Sequence, residues 1–100
     1  ETGAKVVTVY VDELRNYPVS PRWRYGQACH MTADTLEELH SFAGKLQLRR
    51  SWYQAHEHFP HYDLTARRRA AAVLAGAVEV RARDYVRRVL QARGELKNGC

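Results

Sequence analysis

Cysteine and long apolar runs are scarce in this chain, and each scarcity excludes something. Two cysteines in 100 residues are too few for a disulfide framework. Cys29 sits in an apolar strand pattern and Cys100 is the last residue, so both thiols are expected free, in a reducing cytoplasm. No apolar stretch approaches the ~20 residues of a membrane span, and the N-terminus has no signal-peptide pattern, so no membrane partner is expected. Nor is there an internal repeat, a low-complexity tract or a linker. One α/β domain is expected over residues 4–94, with "ETG" at 1–3 set aside as a remnant of expression and 95–100 as a polar tail.

What is present fits a soluble globular protein. The chain is 45% hydrophobic and 27% charged, and a domain of this size buries roughly two-thirds of its unfolded surface. All but three of its 16 basic residues are arginine, and the net charge is +5. Arginine's planar fork suits phosphate, so nucleic acid or a nucleotide is the expected partner class.

Residues 5–11, "KVVTVYV", read as a strand buried on both faces. "ELRNYPVSPRWRYG" follows as a long loop. "QACHMT" (27–32) is a short strand with Ala28, His30 and Thr32 on one face and Cys29 and Met31 on the other. A helix is expected next, capped by Asp34 with Glu37 completing the box and with Leu36, Leu39, Phe42, Ala43 and Leu46 as its apolar stripe. "SWYQA" (51–55) is a third strand, 64–75 a second helix stopped by Gly76, and "AVEV" (77–80) a fourth strand. A third helix runs from about Arg83 to Arg93, with Tyr85, Val86, Val89 and Leu90 inward and an Asp84–Arg88 pair outside. Alternation of strands and helices predicts a largely parallel sheet of about four short strands with three helices, and a ligand crevice at the carboxyl ends of its strands.

The blocks "VYVDELR" (9–15), "CHMTADTLEELHSFA" (29–43), "SWYQ" (51–54), "HYDL" (61–64) and "GAVEV" (76–80), in this order and spacing, resemble the small bacterial and phage family called domain of unknown function 4031. The resemblance covers nearly all of residues 6–80. It implies a compact one-domain protein, often phage-encoded, and supplies no activity. It puts weight on Asp12, Arg15, His30, Asp34, His40, His61, Tyr62 and Asp63.

Each candidate has a structural alternative. Asp34 and Asp63 both precede helices and could cap them. His40 borders the apolar stripe, as a hydrogen-bonded structural histidine would. His56 and His58 match no zinc spacing and read as residues of a solvated loop. His30 needs a polar partner near the sheet, and Asp12, at the end of a neighbouring strand, is the candidate.

The sharper expectation is one cluster of Asp12, His30, His61 and Asp63. In it His30, His61 and Asp63 could hold one divalent metal ion, or the four could act as a histidine general base oriented by aspartate. Either suits hydrolysis of a phosphate ester, with Arg15, Arg67 and Arg68 holding the anion. Trp23 and Tyr25, interleaved with arginines, could stack on bases or fold back as a lid. The competing reading is non-catalytic: a basic nucleic-acid-binding module, or a phage-type adaptor acting on a host protein.

Overall fold

The computed structural model describes residues 8–57 and 59–92, the last two as backbone only. The start of the expected first strand, His58, the end of the third helix and the tail with Cys100 lie outside the described residues. The order is β1 (Val9–Val11), β2 (Arg15–Asn16), β3 (Gln27–Ala33), α1 (Leu36–Lys45), a 3-10 turn (Arg50–Trp52), β4 (Tyr53–Gln54), β5 (His61–Leu64), α2 (Ala66–Leu74), β6 (Val78–Glu79) and α3 (Ala82–Ala92).

The architecture is α/β, but the sheet is mixed and six-stranded, ordered β4-β5-β3-β1-β6, with β2 paired to β3 off that path. It is not largely parallel. Among the described pairs only β1–β6 is parallel; β1–β3, β2–β3, β3–β5 and β4–β5 are antiparallel. The loop after β1 is responsible. It carries β2 and turns back on itself, with the Tyr17 N–H donating to the Gly26 carbonyl at 2.9 Å, so β3 returns against β1 as in a hairpin. The crossover through α2 then lays β6 parallel beside β1.

β3 is the central strand, and its alternation sorts the molecule into two sides. Cys29 and Met31 are buried with Val9, Val11, Tyr62 and Leu64 against Leu39, Phe42 and Ala43 of α1 and Ala72 of α2. This is the main core. Burial pushes the Cys29 thiol up to about 12, which leaves it protonated and inert at neutral pH. The opposite side carries Tyr10 paired across to Thr32, and His30 paired across to Asp63. α3 covers part of it: the Tyr85 ring lies 5.4 Å from that of Tyr10, and the Arg88 guanidinium lies 5.0 Å over Tyr10.

The helix starts differ from expectation by a residue or two. Thr35, not Asp34, caps α1 by accepting from the Glu38 N–H at 3.1 Å, and its hydroxyl donates to Glu38 Oε1 at 2.9 Å. The cap and its glutamate thus fall one position later than expected, because Asp34 instead accepts the Tyr10 hydroxyl at 2.9 Å. Thr65, not Asp63, caps α2 by accepting from Arg68 N–H, because 61–64, expected to be loop and helix start, is strand β5. α3 begins at Ala82, whose N–H donates to Glu13 at 2.8 Å. Leu36, placed in the apolar stripe, is 49% exposed at the first position of α1. The expected Asp84–Arg88 pair is replaced by Arg81–Asp84 at 3.1 Å, with Arg88 taken by Tyr10.

α1 and α2 end in the same way. After α2, Gly76 (φ +112°) donates to Val73 O and Ala77 to Ala72 O. After α1, Gln47 (φ +57°) donates to Gly44 O and Leu48 to Ala43 O. Both are Schellman closures, one with glycine in the left-handed position and one with glutamine. Among the described residues no helix is long and apolar enough to cross a membrane.

Candidate metal centre on the sheet face opposite the core

Asp12 directly follows β1, and its chain-neighbour Val11 is registered with Met31. Continuing that register places Asp12 opposite His30, where an antiparallel pair would exchange two backbone hydrogen bonds. Only one survives: the Asp12 N–H donates to His30 O at 3.1 Å. The other is made by the side chain, as Asp12 Oδ1 accepts the His30 N–H at 2.6 Å. Asp12's own carbonyl is turned to Arg69 of α2, whose Nε donates to it at 2.8 Å. That exchange leaves Asp12 Oδ2 against His30 Nδ1 at 2.7 Å. The carboxylate is 94% buried and both its oxygens are engaged. It therefore fixes the imidazole, with Nδ1–H as donor and Nε2 as the nitrogen open to a ligand.

His61 and Asp63 share the same face of β5, two residues apart. The His61 ring meets that of His30 edge-on, with centroids 4.6 Å apart. Its Nδ1 lies 2.7 Å from the Phe59 carbonyl, which can only accept, so Nδ1 carries a proton. Its Nε2 lies 3.5 Å from Asp63 Oδ1. Burial alone would lower the His61 pKa, but the Asp63 carboxylate, the Phe59 carbonyl and the charge of Asp12 outweigh it and raise the value. In the absence of another cation, His61 is thus biased toward imidazolium.

One donor atom each from His30, His61 and Asp63 lies within 4.8 Å of the others. Donors around a tetrahedral ion with bonds of 2.0–2.2 Å sit about 3.4 Å apart, so these three need to close by little more than 1 Å. Two imidazoles and a carboxylate with coordination positions left over make the donor set of catalytic zinc and non-haem iron sites. Each histidine already has its other nitrogen tied to a carboxylate or carbonyl, the outer-shell arrangement that orients metal-binding imidazoles.

Two cavities open on this cluster. One, of about 240 Å³, is lined by Asp12, His30 and His61 and walled by Phe59, Tyr85 and Val86 among others. The second, of about 430 Å³, is lined by Gln54, Ala55, His56, His61 and Asp63. His56 lies on both, with its Nδ1 accepting from the Phe59 N–H at 3.2 Å.

The four residues expected to cluster do so. The site lies on a sheet face under α3, however, not in a crevice at the carboxyl ends of parallel strands. The expected anion holders are elsewhere. Arg15 is on β2, 3.6 Å from Glu13, while Arg67 and Arg68 line a separate hollow of about 300 Å³ with Tyr25, Trp52 and Thr65. Arg69 is the arginine that reaches the cluster's support, bridging Asp12 O and Glu79 Oε1. Three arginines in a row fan across about 200° of a helix, so they cannot all meet one ligand, and spacing alone does not say which of them turns inward. His40 belongs to the core side: its Nδ1 meets the Tyr62 hydroxyl at 2.8 Å, and burial with the nearby Arg50 charge lowers its pKa. Trp23 and Tyr25 pack on Trp52, and Trp23 Nε1 donates to Gln27 O at 2.8 Å.

A family model described as "Protein of unknown function (DUF4031)" matches residues 9–92. The chain belongs to this family. The DUF4031 match runs through α3, beyond the blocks on which the resemblance rested, and so takes in Tyr85 and Val86 of the cavity wall. No curated protein and no solved structure matches the chain.

Proposed function

We propose that this DUF4031 protein binds one divalent transition-metal ion through His30, His61 and Asp63 and uses it to hydrolyse a phosphate ester of a nucleotide or nucleic acid. The observation that carries the reading is the convergence of three donors whose histidines are already oriented by Asp12 and by the Phe59 carbonyl. Two imidazoles favour zinc, manganese, cobalt or nickel over magnesium. An ion held there lowers the pKa of water and polarises a phosphoryl oxygen. In the net reaction a water oxygen bonds to phosphorus, the ester P–O bond breaks, and the alkoxide leaving group takes up a proton. Asp12 is a positioning residue, since both its oxygens are engaged by His30. An arginine-dominated charge of +5 supports an anionic substrate.

The test is calorimetric titration of metal-stripped protein with Zn²⁺, Mn²⁺, Co²⁺ and Ni²⁺, alongside turnover of bis(p-nitrophenyl) phosphate. One site per chain is expected, lost in His30→Ala and His61→Ala, with turnover only in the loaded protein. Absence of binding by all four ions sinks the metal centre, and binding without turnover sinks the hydrolysis.

A further inference from the structure

The hollow that holds Arg67 and Arg68 is not isolated from the metal centre. It is lined by Tyr25, Trp52 and Thr65 as well. Trp52 is also a wall of a second hollow of about 300 Å³, with Arg22, Trp23, Gln54 and Asp63. Gln54 and Asp63 in turn line the cavity of His56 and His61. The three depressions share walls in sequence, so the surface from the arginine end to the histidine cluster is one track.

Its chemistry is uneven along its length. At the far end, Tyr25 is 57% exposed and packs edge-on to Trp23 and Trp52, with centroids 5.0 and 6.3 Å away. Edge-on packing holds a ring in place while leaving a face for a planar ligand. Arg67 is exposed beside it on the first turn of α2, where a cation opposes the helix dipole unless an anion is near. At the near end stand His61 and Asp63.

We propose that this track binds single-stranded nucleic acid, with a base stacked at Tyr25 and Trp52, phosphates on Arg67, Arg68 and Arg22, and the strand leading to the His30–His61–Asp63 cluster. The inference rests on the phosphate-ester reading for its destination and narrows the substrate to an unpaired strand. Aromatic faces next to arginines recognise unpaired bases and backbone phosphates together. A duplex keeps its base faces stacked and offers only phosphates. A mononucleotide at the metal centre leaves the aromatic end of the track unused.

The probe is a fluorescein-labelled 12-mer of thymidine against a 12-base-pair duplex, read by anisotropy on wild-type protein in EDTA. The single strand is expected to bind at least tenfold more tightly, to quench the emission of Trp23 and Trp52, and to weaken steeply with salt. Tyr25→Ala and Arg67→Ala, both exposed positions chosen to spare folding, are each expected to weaken binding about 5-fold or more. Arg83→Ala, an exposed arginine of α3 that lines none of the three depressions, is expected to keep it. Equal or tighter duplex binding overturns the proposal, as does indifference to Tyr25→Ala, which makes the patch a generic polyanion or acidic-protein surface. A loss of binding in Arg83→Ala as large as in Arg67→Ala overturns it too, by making the grip a diffuse effect of charge. Metal binding and bis(p-nitrophenyl) phosphate turnover without oligonucleotide binding defeat the track alone; oligonucleotide binding by a protein that takes up none of the four ions in calorimetry defeats the metal centre alone.

Discussion

Asp12 holds His30 at two points, accepting its backbone N–H at 2.6 Å and its imidazole Nδ1 at 2.7 Å. The same carboxylate therefore closes the sheet ladder and selects the tautomer of a histidine in the proposed metal site. Strand pairing and site chemistry thus meet in one side chain.

Asp12→Asn separates the two roles. The amide oxygen can still accept the backbone N–H, but its NH₂ then faces Nδ1 and drives the proton to Nε2, the nitrogen meant for the metal. Zinc affinity is expected to fall about 10–100-fold, as for other outer-shell losses, while thermal unfolding shifts little. Unchanged affinity by calorimetry contradicts the positioning role.

Loading of the proposed metal site is expected to depend on pH through His61. Its pKa is raised, and an ion must displace that proton. Apparent affinity is expected to climb about tenfold per pH unit below the raised value and to level off above it. The metal-free protein behaves oppositely. Stabilisation from a raised histidine is complete below its unfolded pKa, near 6.5, and fades as pH rises through the folded one. Melting curves across pH 5–9, with and without Zn²⁺, check both signs.

Tyr62→Phe removes the partner of His40 from the core side of the sheet. A cost of about 1 kcal/mol is expected, a fall of roughly 4–8 °C in Tm for a domain this size. Metal affinity is expected to stay the same, because His40 and the cluster occupy opposite sides of the sheet.

Gln47 occupies a left-handed position at the end of α1, at φ +57°. Gln47→Gly relieves a backbone cost of about 1 kcal/mol, offset in part by greater freedom of the unfolded chain. A gain of about 0.5 kcal/mol in urea unfolding is expected. Destabilisation would mean that the glutamine side chain makes a contact worth more than the strain.

The elements with long periodic patterns were legible from sequence: β3 with its two-sided alternation, α1 with most of its apolar stripe, and the Gly76 stop. β5 was not, although Tyr62 and Leu64 alternate with His61 and Asp63, because a polar four-residue strand between Pro60 and a helix looks like a loop. Strand direction was misread for a related reason. The parallel rule assumes a crossover between neighbours, and the two-residue β2 makes a hairpin where the sequence shows Pro18, Pro21 and Gly26. The caps moved because Asp and Thr compete for the same task, and the loser in each case had a tertiary partner: Tyr10 for Asp34, and the paired strand for Asp63. Asp12 and His30 were paired by residue chemistry, since a strand-borne histidine needs a polar partner, whereas His61 and Asp63 entered through the family resemblance and their spacing of two. Arg69 was invisible because its contacts span 57 residues.

The sealed thiol of Cys29 provides a built-in gauge. It lies on the central strand one residue before His30, 1% exposed, so reagents that label cysteines reach it only when the sheet parts. Its alkylation rate therefore clocks excursions of the strand that carries His30, and an ion bound at the proposed site should slow that clock.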